Sequence, residues 1–127
     1  MIIIDTSIWI EFFRGNQPYF DQVSELIENN DVIGLSPVFG ELLQGAKNNY
    51  ERSIITEFWD NIYKIKEDDL FIQAGAESSR SKWLDKGVGL IDSVIITAAK
   101  KSAAFIWSLD KKLLQFINMD EKYDPAK

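Results

Sequence analysis

The chain predicts an α/β fold, a three-layer α/β/α domain built on a parallel sheet, with residues 1–127 forming one unit. Three observations lead there. Short β-branched apolar runs alternate with longer segments of helical periodicity along the whole chain. The first run, Ile2-Ile3-Ile4, is apolar at every position, as a strand covered on both faces must be. And 127 residues with 46% hydrophobic content can build one core without disulfides or structural zinc.

The elements follow in order. Ile2–Ile4 is the first strand, ended by Asp5-Thr6-Ser7, all of which can cap a helix. Ile8 to Arg14 reads as a helix closed by Gly15. Pro18 suits the first turn of a second helix running to about Asn30. Val32–Leu35 is the second strand. Ser36-Pro37 then opens a helix through Gln44, with Ser36 as its cap and Gly45 at its end. Residues 49–61 form a helix with Ile54, Ile55, Phe58 and Trp59 on one face. Tyr63–Ile65 is a weak third strand. A helix from Asp69 to Lys86 stops at Gly87, and an apolar helix covers Ile91–Lys101. Ala104–Trp107 is the fourth strand, and a short helix follows Asp110. From about Met119 the chain turns polar and holds a minor edge strand or nothing ordered.

Composition removes several chemistries. There is no cysteine, which excludes thiol nucleophiles and thiolate metal sites and fits a reducing cytoplasm. There is no histidine either, which excludes Ser-His-Asp catalysis, imidazole acid–base chemistry and ordinary zinc ligation. Hydrolysis by this chain must lean on carboxylates, lysines or hard cations. Asp5 interrupts the N-terminal apolar run, so it does not read as a signal peptide. No stretch approaches the roughly 20 apolar residues that span a bilayer, and the expectation is a cytoplasmic protein away from membranes. The net charge of −6 argues at first against a nucleic-acid partner. With four acids set aside as a metal site, however, the remaining sixteen stand against fourteen bases, a nearly neutral surface.

Four acids sit where ligands bind in such folds, beyond the carboxyl ends of the strands. Asp5 ends the first strand, and Asp110 lies three residues past Trp107. Glu41 is in the first turns of the helix after the second strand. Asp92 starts the helix that leads into the fourth strand. Each has an ordinary structural alternative: Asp5 and Asp110 as helix caps, Glu41 as a solvated helix residue. Asp92 is the costliest to place, inside the otherwise apolar Val88-Gly89-Leu90-Ile91-Asp92-Ser93-Val94-Ile95-Ile96, where a carboxylate needs a cap, a partner or a metal. Capping does not account for four acids at one end of a sheet. Two carboxylates about 4 Å apart repel by roughly 4 kcal/mol at an effective dielectric of about 20. No arginine or lysine adjoins Asp5, Glu41 or Asp92 in sequence, so a hard divalent ion, Mg²⁺ or Mn²⁺, is the expected partner. Such an ion can activate water for phosphodiester hydrolysis without histidine.

The stretches Ile3-Ile4-Asp5-Thr6-Ser7, Ser36-Pro37-Val38-Phe39-Gly40-Glu41-Leu42-Leu43-Gln44-Gly45, Leu90-Ile91-Asp92 and Ile106-Trp107-Ser108-Leu109-Asp110 together resemble the PIN-domain family, and within it the VapC-like toxins of toxin–antitoxin pairs. The resemblance covers nearly the whole chain apart from the tail. It implies a strand order of 3-2-1-4-5, Mg²⁺- or Mn²⁺-dependent endoribonuclease activity, an RNA substrate, a cognate antitoxin and frequent homodimers. Carried over by position, Asp5, Glu41, Asp92 and Asp110 are the metal-binding acids, and Thr6 and Ser108 are hydroxyls beside them. Ser7 stands where asparagine is frequent, and Lys112 where many members have a further acid.

Arg14, Lys47, Lys111 and Lys112 follow the site-bearing segments and are candidate contacts to RNA phosphates. Ile8, Trp9, Ile10, Phe12 and Phe13 make the first helix apolar around much of its circumference. That surplus is either core packing or a groove, lined by Trp9, Phe12 and Phe13, for an antitoxin segment or a second protomer. Two other functions compete. A phosphotransferase using Asp5 would need a second aspartate where Ser7 stands. A catalytically weak binding module would have no need of all four acids.

Overall fold

The computed structural model describes residues 1–126. Four strands, β1 (Ile2–Ile4), β2 (Val32–Gly34), β3 (Tyr63–Lys64) and β4 (Phe105–Trp107), form one sheet in the order β3-β2-β1-β4, with every neighbouring pair parallel. The expected order is present for these four. In place of a fifth strand there is a single parallel bridge, Ile106 to Lys122, closed by the Tyr123 amide donating to the Ile106 carbonyl at 2.8 Å. The polar tail offers no apolar run that could extend it. Tyr123 is held instead by its ring, 5.1 Å from that of Trp107.

Helices α1 (Thr6–Phe13) and α2 (Tyr19–Glu28) connect β1 to β2; α3 (Ser36–Gln44) and α4 (Asn49–Asn61) connect β2 to β3. From β3 the chain returns through α5 (Leu70–Ser81), a 3₁₀ turn (Leu84–Lys86) and α6 (Leu90–Ser102) to β4; α7 (Lys111–Leu114) follows. The chain runs outward from β1 to β2 and β3 and then back past β1 to β4, and parallel crossovers of this kind are right-handed almost without exception. The two helix groups therefore cover opposite faces, and the direction reverses between β1 and β4. All three β1 residues are buried, as the run of three isoleucines requires.

Local chemistry explains most boundaries, and tertiary contacts explain the exceptions. The single helix expected over Asp69–Lys86 is broken. At Lys82 the backbone turns left-handed (φ 57°), and the Trp83 amide bonds back to the Ser78 carbonyl at 3.0 Å. The break falls just before Trp83, which is buried, where the sequence alone predicts a helix on to Lys86. Helix α1 begins at Thr6, two residues earlier than the apolar run suggested. At α3 the cap position is Leu35 rather than Ser36. The Ser36 amide and hydroxyl both donate to Glu67, at 2.9 and 2.6 Å, so a carboxylate 31 residues away does the capping. Strand β2 ends at Gly34, one residue before the expected Leu35, and a side chain at Gly34 would stand 2.5 Å from Ile62 Cδ1.

Helix α1 settles the question of its apolar surplus. Trp9 is 1% exposed and Phe12 5%, and the Trp9 ring packs within 5.1–6.5 Å of Phe12, Phe13, Phe39 and Phe58. Phe13 is partly buried in the same cluster. The expected partner groove lined by Trp9, Phe12 and Phe13 is thus corrected: those rings are filled against α3 and α4 by the domain itself. Among the described residues no helix is long and apolar enough to cross a membrane.

Candidate active site

The register of β1 and β4 builds the floor of the site. Ile4 pairs with Trp107, and the Asp5 amide donates to the Trp107 carbonyl at 2.9 Å, so Asp5 and Ser108 leave the sheet side by side. This is the point where the connection reverses. Asp5 occupies the cap position of α1 yet makes no side-chain capping bond. Its Oδ2 instead accepts from Ser108 Oγ at 2.7 Å and from Ser7 Oγ at 3.0 Å. Both serines also accept on the same oxygens, Ser108 from the Asp110 amide at 2.9 Å and Ser7 from the Leu109 amide at 3.0 Å. A serine at position 7 therefore closes the hydrogen bond to Asp5, and the pair of hydroxyls ties the end of β1 to the loop after β4.

The other acids come from separate elements. Glu41, in the middle of α3, is exposed, and its Oε1 accepts from Thr6 Oγ1 at 2.8 Å. Asp110 caps α7, its Oδ1 accepting from the Lys112 amide at 2.9 Å. Asp92 lies in the first turn of α6 and is half-buried. Its carboxyl is pushed up from 3.8 to about 6, first by burial and then by the negative charges of Asp5, Asp110 and Glu41; Lys112 pulls the other way. Asp5, Asp110 and Glu41 thus all lie near enough to Asp92 for their charges to act on its carboxyl.

Three of these carboxylates share a pattern. Asp5, Glu41 and Asp110 each have one oxygen anchored by a protein donor, and among the described residues no protein donor reaches the second. Nor does any reach Asp92. The donor set is all oxygen, on a site whose burial and negative charge disfavour ionising Asp92, and that chemistry fits a hard divalent cation. The fit is one of charge and donor type, not of a closed cage. Among the described residues, no three acids are already posed to hold one ion.

The candidate RNA contacts divide. Lys112 is at the site. Arg14 closes the far end of α1, eight residues and about 12 Å of helix from Thr6. Lys47 lies beyond α3, its amide donating to Glu51. Neither figures among the charges that move Asp92. Lys111 is exposed beside Lys112. Sequence reasoning missed two contributors. Glu67, by capping α3, fixes the start of the helix that carries Glu41. Gly87 (φ 87°) makes room for the Lys112 side chain. The first left no local signal, since its partner is 31 residues away. The second was visible only as a helix stop.

Comparison with known proteins adds to this geometry. The family model for the PIN domain matches residues 2–121. Ribonuclease VapC32 of Mycobacterium tuberculosis, from strains CDC 1551 and H37Rv, is 28% identical over 118 residues, covering 89% of this chain and 87% of the relative.

Proposed function

We propose, for a chain that belongs to the PIN domain family, that it is a divalent-metal-dependent endoribonuclease acting as the toxin of a toxin–antitoxin pair. The observation that carries this reading is the convergence of Asp5, Glu41, Asp92 and Asp110 from four different elements at the switch point between β1 and β4, with Asp92 held at about 6 by burial and its three acidic neighbours. The similarity to a protein named as a ribonuclease supports RNA as the substrate.

In this reading the four acids would hold Mg²⁺ or Mn²⁺. A bound ion would supply activation of water and charge neutralisation at the scissile phosphate. The chain supplies position. Ser7 and Ser108 fix Asp5 through one oxygen and leave the other without a protein donor among the described residues. Thr6 does the same for Glu41, and the Lys112 amide for Asp110. With histidine and cysteine absent, the side-chain chemistry at this point is that of the four carboxylates, the hydroxyls beside them and Lys112. As a toxin, the protein would be restrained by a cognate antitoxin protein and would self-associate as a homodimer in the cytoplasm.

The test is a digest of total RNA with mapped cleavage ends, run with Mn²⁺, with Mg²⁺ and with EDTA. Cleavage should require the ion, and Asp5→Asn and Asp92→Asn should abolish it while the fold persists. Full activity in EDTA would reject the metal reading.

A further inference from the structure

We propose that the ammonium of Lys112 is a fixed cation of the active site, which holds a phosphate of the RNA strand beside the four carboxylates. The proposal rests on the ribonuclease reading above and names the group that offsets its main electrostatic difficulty. An acidic site must receive a polyanion, and the chain as a whole carries a net charge of −6.

Geometry singles out Lys112 from the other lysines. Its backbone is tied to the site, because its amide donates to Asp110 Oδ1 at 2.9 Å. Its side chain runs back over Gly87, where an added Cβ would stand 3.3 Å from Nζ, 3.7 Å from Cε and 3.8 Å from Cδ. Gly87 sits at φ 87°, a backbone conformation that favours glycine, so the same residue permits both the turn and the seat for the lysine. The turn leads directly into α6 and Asp92. Lys112 thus bridges the two loops that deliver Asp92 and Asp110.

The ammonium is also unspent. The salt bridge found among the described residues is Arg80–Glu77, on α5, and Lys112 joins no carboxylate at that distance. Its backbone is held beside Asp110, and among the described residues no protein acceptor takes the three donors of its ammonium. A non-bridging phosphate oxygen is the ligand such a point charge takes at the edge of an RNA-cleaving site. A lysine placed to neutralise the acids themselves would instead be expected to bond one of them.

The proposal predicts opposite effects on the two ligands, which a merely structural lysine would not produce. Wild type, Lys112→Met, Lys112→Gln and Lys112→Arg would be compared, with melting curves to verify folding. Binding of a fluorescein-labelled single-stranded oligouridylate would be followed by anisotropy in Mn²⁺ across a salt series, and Mn²⁺ binding measured alone. Lys112→Met and Lys112→Gln should weaken oligouridylate binding about tenfold, the worth of one charge-assisted hydrogen bond. Their log–log salt slope should flatten by about 0.7, as for one lost phosphate contact on a single strand. Lys112→Arg should recover most of both. Mn²⁺ affinity should stay the same or rise in the neutral variants, because a positive charge has left the ion's surroundings. On total RNA the loss should lie in the concentration giving half-maximal rate, not in the maximal rate. Unchanged binding and salt slope in the neutral variants would overturn the proposal, as would weakened Mn²⁺ binding in a folded variant. Wild-type protein that neither binds the probe nor cleaves total RNA in Mn²⁺ would instead reject the ribonuclease reading on which it stands.

Discussion

Removing the negative charge of Asp92 should stabilise the metal-free protein while destroying its response to metal. The magnitude follows from the site. In the fold the Asp92 carboxyl titrates at about 6, against 3.8 when unperturbed, because it is partly buried and faces Asp5, Asp110 and Glu41. As pH rises from 4 to 6 the unfolded chain gives up this proton before the folded one does. The folded state then binds more protons, and stability falls with rising pH across that window. Above about 6 the penalty is constant. Two units at about 1.36 kcal/mol each would come to roughly 3 kcal/mol, but Asp92 is only half-buried, and solvent screening reduces this to about 1–2 kcal/mol. Asp92→Asn keeps the shape and removes the charge. In EDTA at pH 7.5 the variant should therefore melt higher than wild type, by roughly 5 °C for a domain of this size. The gap should close as pH is lowered to 4. Adding Mn²⁺ should reverse the order, since ion at about 100 times its dissociation constant adds roughly 2.7 kcal/mol to a protein that binds it. Thermal melts of both proteins at several pH values, with EDTA or Mn²⁺, would check all three points. An Asn variant no more stable than wild type in EDTA at pH 7.5, or a gap independent of pH, would refute the reasoning.

Other outcomes follow from single contacts. Ser108→Ala removes the donor to Asp5 Oδ2 and the acceptor of the Asp110 amide in a buried position; urea unfolding should show a loss of about 1–3 kcal/mol, and RNA cleavage in Mn²⁺ should fall with it. Trp9→Ala should cost about 3–5 kcal/mol and Trp9→Glu should fail to fold, read by circular dichroism, because the ring is enclosed by Phe39 and Phe58 rather than offered to a partner. Glu67→Gln should lower cleavage more than stability if the start of α3 sets where Glu41 stands, and Glu67→Ala should lower both. Gly34→Ala places a methyl 2.5 Å from Ile62 Cδ1 and should cost about 1–3 kcal/mol without changing metal affinity.

What the sequence determined by itself was whatever depends on neighbours in the chain. Three consecutive isoleucines can only be comfortable in a strand covered on both sides, and Ile2–Ile4 is the buried centre of the sheet. The alternation of strand and helix implied parallel pairing, and parallel pairing implied that Asp5, Glu41, Asp92 and Asp110 meet at one edge, because crossover connections keep every carboxyl end on the same side. Asp92 was conspicuous because a carboxylate in an apolar helix needs a reason. Tertiary structure alone decided the rest, because each remaining feature is a contact between residues far apart in the chain. The aromatic surplus of α1 could have faced solvent or the core until α3 and α4 brought Phe39 and Phe58 onto Trp9. The long helix predicted before Gly87 breaks just before Trp83, which is buried. The cap of α3 came from Glu67, and the fifth strand shrank to one bridge at Ile106. Four lysines and arginines looked equivalent as ligands for RNA, and only folding laid the Lys112 side chain over Gly87, with its amide on Asp110, while leaving Arg14 about 12 Å up a helix. Periodicity reports which face of an element is apolar; it carries no information about which distant side chain will meet that face.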